Sequence, residues 1–354
     1  MNDFPYSPNK IFHHTGWLDS IRAGEFPAPI FVEVIPTNRC NHSCDFCAYR
    51  SKGYTSSQLF NPADEIPHEK LAKIVEDCAD MGVKAIEVTG GGEPMLHPWF
   101  LDFCRLILSK GIDLGLVTNG SRWTKEATEV MKDAAWVRFS IDAGREETYT
   151  QIRHCSPITY PIIRQAIQDL SQARGASPTP IIGVGFVVTK ANWTEVVDAA
   201  AKAKADGADN IRISAVFQSE GVAYFTDFLQ QAKALCREAE TLNCKTFRVF
   251  NLFDDRIEDL QSQAPDYINC YFQQASTYIG ADQRVYRCCV ISYNSLGCLG
   301  SIQDKTFKDL WQSQLLQERI ERFDARNCSC CMFNTKNKTI QYALEQNPLH
   351  VNFI

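Results

Sequence analysis

The chain has no run of about 18 apolar residues, so no helical membrane span is expected. Its first residues, Met1-Asn-Asp-Phe-Pro, lack the charged-then-apolar pattern of a signal peptide, and a cytoplasmic protein with reduced thiols is expected. There is no long basic run. Against 36 lysines and arginines stand 42 acidic residues, a formal charge of −6, so a broad electrostatic grip on nucleic acid is not expected. Also missing are a phosphate loop, a His-Glu-x-x-His zinc motif, any solenoid-length repeat and any low-complexity tract. Gly183-Val-Gly185 is a fragment of a dinucleotide fingerprint, but it lies inside a strand pattern with no third glycine opening a helix.

What is present is ordinary for a globular protein: 354 residues, 45% hydrophobic and 22% charged, enough for one large domain and a smaller one. Residues 1–30, with four prolines, read as a lead-in. From residue 31, short β-branched runs alternate with amphipathic helical patterns. The strands expected are Phe31–Pro36, Lys84–Thr89, Ile112–Thr118, Trp136–Ile141, Ile181–Thr189 and Asn210–Val216, with helices near 67–81, 98–110, 124–133, 145–173, 193–206 and 223–242. Such alternation means a parallel sheet, and six units suggest an α/β partial barrel, (β/α)6 and TIM-like, with its chemistry at the carboxyl ends of the strands. After residue 242 the rhythm stops. A further strand is expected within Lys245–Phe253, a hairpin from Ser276–Gly280 and Arg284–Val290, and a helix from Thr306 to Phe323 with Leu310, Trp311, Leu315 and Ile320 as its apolar stripe.

Fifteen cysteines in a large chain of this kind mean metal ligands or buried thiols. Cys78, Cys104 and Cys236 fall on predicted helices, where a small buried hydrophobe is expected. Cys40, Cys44 and Cys47 share one loop after the first strand. Three thiols do not complete a zinc site or an ordinary four-iron cluster, each of which takes four protein ligands. Either a fourth cysteine comes from elsewhere, as in a zinc loop, or one metal position stays open for catalysis.

The spacing C-x3-C-x2-C with Phe46 directly before the last cysteine resembles the radical S-adenosylmethionine (SAM) superfamily. The resemblance implies a [4Fe-4S] cluster whose fourth iron binds SAM. Gly90-Gly91-Gly92-Glu93 follows the second strand, Thr118-Asn119-Gly120 the third, and Ser140-Ile-Asp142 ends the fourth, so all fall on the rim that carries the cysteine loop. By resemblance, Gly91, Gly92 and Glu93 face the SAM ammonium, Asp142 the ribose, Ser140 and Arg153 the carboxylate, and Phe46 the adenine. Asn119 is a further candidate on that rim.

The second group, Cys270, Cys288, Cys289, Cys298, Cys328, Cys330 and Cys331, resembles the SPASM/twitch extension of that superfamily. The resemblance implies an auxiliary iron–sulfur cluster on Cys270, Cys288, Cys328 and Cys331, with Cys330 as an alternative ligand. One [4Fe-4S] cluster is expected, or two if Cys289 and Cys298 take part; a zinc site is the other reading of the same cysteines. The expected organisation is a lead-in (1–30), a radical SAM partial barrel (31–242), a small α+β SPASM/twitch domain (243–335) and a C-terminal tail (336–354).

The implied activity is reductive cleavage of SAM to a 5′-deoxyadenosyl radical that abstracts hydrogen from an unactivated carbon, with electrons from a flavodoxin or ferredoxin. Only about 30 residues precede the first strand, too few for an added peptide-binding domain, so a small polar metabolite, sugar or nucleotide-type substrate is expected. The alternatives are a peptide, a protein side chain or a nucleic-acid base, or a non-catalytic cysteine-rich zinc protein.

Overall fold

Alternation is what turns these segments into one curved sheet. In a computed structural model describing residues 5–50, 58–262, 264–346, 349 and 352, Val32 and Val34 of β1 (Phe31–Val34), Ile86 and Val88 of β2 (Ala85–Val88), and Val137 and Phe139 of β4 (Trp136–Ser140) are all fully buried in the main core. Pointing to one side every second residue, they pack against the crossover helices. With β3 (Asp113–Thr118), β5 (Ile181–Val188), β6 (Asn210–Ala215) and β7 (Arg248–Asn251) they pair in chain order, all parallel.

All six expected strands form, and the expected partial barrel gains a seventh parallel strand, β7, from the 245–253 run. On the other side of β1 lies β8 (Ser276–Ile279), parallel to it. β8 then pairs antiparallel with β9 (Arg284–Tyr286), and β9 with β10 (Cys298–Ser301), so the expected hairpin extends the same sheet. Residue 242 falls between β6 and β7, two paired strands.

The inner face of the barrel is unusual. Closed (β/α) barrels fill it with layers of branched apolar side chains. Here the alternate positions carry Glu33 on β1, Glu87 beside it on β2, Arg138 on β4 and Arg212 on β6, while β5 offers only Gly183 and Gly185 between the two arginines.

Two expected helices are broken. The 145–173 pattern becomes Glu146–Arg153 and Thr159–Arg174, parted at His154 in a left-handed conformation, φ 48°. The 306–323 pattern becomes Phe307–Trp311, started by a Thr306 capping box, and Gln314–Glu321, capped afresh by Ser313. That second start turns Leu315 outward. It is 56% exposed, not part of the apolar stripe, while Leu310, Trp311 and Ile320 are buried.

Residues 334–344, which run into the expected C-terminal tail, form a helix, and Ile340 and Ala343 pack with Ile11 and Leu18 from the lead-in and with Phe272. Cys78, Cys104 and Cys236 are buried in the main core as expected. Among the described residues no helix is long and apolar enough to cross a membrane.

Candidate active site

The cysteine loop is held from three sides. From β2, the Glu93 N–H donates to the Arg39 carbonyl at 2.7 Å. This approach requires glycine: a Cβ on Gly92 would sit 2.0 Å from the Arg39 carbonyl oxygen, and one on Gly91 would sit 2.4 Å from Asn38 Oδ1. From β3, Asn119 Nδ2 donates to Asn41 Oδ1 at 3.1 Å. From the helix Glu146–Arg153, the last carbonyls accept backbone N–H groups of the loop, Arg153 from Ser43 and Ile152 from Asp45, both at 3.1 Å. Helix carbonyls that would otherwise lack partners thus hold the loop.

Glu93 is 2% exposed, and its carboxylate accepts from Thr118 Oγ1 at 2.6 Å, the Asn119 N–H at 2.7 Å and the Met95 N–H at 3.2 Å. Burial pushes its carboxyl up from the usual range, and these donors pull it back. Its role in this geometry is to join the ends of β2 and β3 beneath the loop.

Asp142 and Arg153 were expected to face ribose and carboxylate separately. The structure makes them each other's buried ion-pair partner. Asp142, at φ 59°, also accepts the Val187 N–H at 2.6 Å. With that carboxylate engaged, Arg153 directs Nη1 to the Cys44 sulfur at 3.6 Å, and its guanidinium lies 5.6 Å from the Phe46 ring and 5.5 Å from the Tyr149 ring. Ser140 is half-buried at the end of β4, and Phe46 packs partly buried against the main core.

His42 was not singled out by the sequence. It is buried edge-on to Tyr149 at 6.0 Å, and neither ring nitrogen has a hydrogen-bond partner. Desolvation first, then the Arg153 charge, pushes its imidazole down to about 4, so it is neutral at pH 7. The signal was available, since His42 lies between two of the cysteines, but nothing local marks it as buried.

Cys40, Cys44 and Cys47 are partly exposed on the rim. Burial pushes the Cys40 thiol up to about 11, and that of Cys44 up as well, with Arg153 opposing. The His42 N–H points at Cys40 Sγ, 3.5 Å away. A donor set of three thiols with a guanidinium and a backbone N–H directed at its sulfurs fits an iron–sulfur cluster, whose thiolates need such compensation.

The second cysteine group surrounds a cavity lined by Cys270, Cys288, Cys328, Cys330 and Cys331 together with Arg287 and Tyr267. Burial pushes Cys270 and Cys328 up to about 12, and Cys288 and Cys331 upward too. Arg287, missed by the sequence although it directly precedes Cys288, is itself pushed down to about 10 by burial, and the neighbouring cysteines pull against that shift. Four half-buried cysteines beside a buried cation suit a thiolate-ligated cluster. Cys330 donates instead to the Asp259 carbonyl at 3.4 Å. Cys289 and Cys298 are not on this cavity; they pack with Tyr278, Tyr286 and Tyr293. Among the described residues no three His, Cys, Asp or Glu side chains converge to the spacing of a single metal ion.

This arrangement of a rim-borne cysteine triad over a partial barrel, with a second cysteine group beyond it, defines a class. The model of the radical SAM superfamily matches residues 34–200 and that of the SPASM iron–sulfur cluster-binding domain matches residues 270–332. The chain belongs to the radical SAM superfamily and carries a SPASM domain. Its cofactors are accordingly a SAM-binding [4Fe-4S] cluster, SAM and auxiliary iron–sulfur.

It is 28% identical over 330 residues, 91% of this chain and 72% of the relative, to the sporulation killing factor maturation protein SkfB of Bacillus subtilis. It is 26% identical over 176 residues to the tungsten-containing aldehyde ferredoxin oxidoreductase cofactor-modifying protein of Pyrococcus furiosus, spanning 46% of that protein's length. In fold it is similar to Streptococcus suis SuiB bound to its precursor peptide SuiA, with a TM-score of 0.64, 13% identity, and coverage of 93% of this chain and 76% of SuiB.

Proposed function

We propose that this radical SAM enzyme modifies a peptide, abstracting a hydrogen atom from one of its residues. The supporting observation is the similarity to the SkfB maturation protein across 91% of the chain. It favours the peptide alternative over the small metabolite expected from the short lead-in.

In this reading Cys40, Cys44 and Cys47 hold the SAM-binding cluster, and Cys270, Cys288, Cys328 and Cys331 hold the auxiliary one. When bound, the first cluster and SAM supply a 5′-deoxyadenosyl radical that removes hydrogen from an unactivated carbon. The protein's own residues set the geometry. Gly91 and Gly92 let the β2 loop close on the residues just before Cys40, Glu93 locks that loop to β3, and Asn119 fastens Asn41. Arg153 keeps a positive charge beside Cys44 without titrating, because Asp142 holds it. Phe46 and Tyr149 cover its faces and exclude water from the pair. Ser140, half-buried at the rim, is the proposed contact to SAM from β4. A flavodoxin or ferredoxin is the proposed electron donor.

The test is to incubate the anaerobically reconstituted, reduced protein with SAM and a library of short peptides, and separately with sugars and nucleotides. A mass change in one peptide, matched by 5′-deoxyadenosine formation, is expected. Stimulation of SAM cleavage by a sugar or nucleotide, with every peptide unchanged, would overturn the peptide reading.

A further inference from the structure

The inner face of the barrel holds two arginines that, among the described residues, no hydrogen bond or ion pair engages, although Glu33 and Glu87 share that face and Glu87 favours the charge of Arg212. Other partly buried arginines are paired with carboxylates, Arg164 with Asp206 and Arg174 with Asp209. Arg138 and Arg212 are not. Among the described residues neither has an ion-pair or hydrogen-bond partner; each instead lies against a ring, Arg138 5.5 Å from Trp136 and Arg212 5.6 Å from Tyr6. Stacking covers the face of a guanidinium and leaves its N–H edge free to donate.

Both are half-buried, and their register positions on β4 and β6 place them on the inner face of the barrel. Arg212 is pushed down to about 10, first by desolvation and then by the charge of Arg138. Glu87 offsets part of that repulsion but makes no hydrogen bond to either guanidinium among the described residues, so their N–H edges are left for an incoming anion.

The strand between them makes room for one. Arg138 pairs in register with Gly183, and Gly185 with Arg212. A Cβ on Gly185 would meet the Arg138 Cδ at 3.8 Å, ordinary contact, so glycine is not forced there by crowding. Glycine in a strand interior weakens it and often marks a close approach by a ligand. Gly183 is held to glycine by crowding, since a Cβ there would lie 3.0 Å from Asn210 Oδ1, so it is Gly185 that opens the gap.

We infer that Arg138 and Arg212, on either side of Gly183 and Gly185, form a clamp for an anionic group of the substrate inside the barrel. This rests on the reading that the enzyme abstracts hydrogen from a bound substrate, and it adds that the substrate reaches into the barrel and carries a carboxylate or a phosphate. Either anion fits the forked donors.

Isothermal titration calorimetry on the anaerobically reconstituted protein tests it, with inorganic phosphate, acetyl-glycyl-glutamate amide and acetyl-glycyl-glutamine amide as probes. Saturable binding of phosphate or of the glutamate peptide is expected, with the glutamine peptide at least tenfold weaker than whichever anion binds. Binding of the glutamate peptide alone identifies an acidic peptide as the source of the anion, and binding of phosphate alone a phosphorylated substrate; both support the clamp. Arg138→Gln and Arg212→Gln should each raise the dissociation constant at least tenfold. Gly185→Val keeps both charges, suits a strand and fills the gap, so it should cause the same loss without lowering the melting temperature.

Absence of saturable binding, equal binding of the glutamine peptide, or unchanged affinity in folded variants would overturn the clamp. SAM cleavage by the unaltered protein, measured in parallel, separates the two readings. Anion binding without cleavage upholds the clamp and refutes the radical reading, and cleavage without anion binding does the reverse.

Discussion

Tyr293 donates its hydroxyl to Asn38 Oδ1 at 2.7 Å, a bond between the SPASM segment and the residue two before Cys40. The Tyr293 hydroxyl in turn accepts the Ala281 N–H at 3.0 Å, and Asn38 Nδ2 donates to the Asn61 carbonyl at 2.9 Å. Since Gly91 also rests on Asn38, the two cysteine groups share one buried support.

Tyr293→Phe keeps the ring and removes that bridge. It leaves the buried Ala281 N–H and Asn38 oxygen each short of a partner, so a loss of about 1–3 kcal/mol is expected in urea unfolding of the reconstituted protein. An unchanged midpoint would show that Tyr293 contributes only its ring.

The Asp142–Arg153 pair is buried on both sides. Arg153→Met strands a carboxylate, and a destabilisation of about 3–5 kcal/mol is expected. Adding Asp142→Asn should restore a large part of it. If the double variant is no more stable than the single one, the pairing is not what holds this corner.

For Glu93→Gln, one carboxylate oxygen becomes an amide that cannot accept from Thr118 or Asn119. A loss of about 1–3 kcal/mol is expected together with weaker SAM binding, because the loop loosens. Weaker SAM binding with an unchanged melting temperature would instead assign Glu93 to direct contact with SAM.

Glu33 gives a pH signature. Desolvation first, then the neighbouring Glu87, raises its carboxyl to about 8. A raised acid binds its proton in the folded state where the unfolded chain has lost it, so its contribution to stability falls as pH rises from the unfolded value of 4.5 through about 8. Glu33→Gln should therefore raise the melting temperature more at pH 9 than at pH 5. Equal gains at both would contradict the shift.

The strands were legible because each buries one face against helices, and the cysteine and glycine motifs because their chemistry is local in sequence. The break at His154 was not. The periodicity runs through it, and the helix ends where it does because its carbonyls serve Ser43 and Asp45, more than 100 residues earlier. The pairing of Asp142 with Arg153 was not legible for the same reason: which charge meets which is settled by where a strand end and a helix end come together. The outward turn of Leu315 follows from Ser313, a cap hidden inside an unbroken apolar pattern. The inner face of β4, β5 and β6 shows in the sequence as charges and glycines at alternate positions, but only closure of the sheet tells that they share one space.

The most direct measurement is SAM cleavage and iron content in the protein with Cys40, Cys44 and Cys47 all changed to alanine, after anaerobic reconstitution and reduction. The unaltered protein should produce 5′-deoxyadenosine. The triple variant should produce none and contain about four fewer irons, while about four remain with the Cys270, Cys288, Cys328 and Cys331 group. Undiminished cleavage and iron in the triple variant would contradict the assignment of the SAM-binding cluster to this loop.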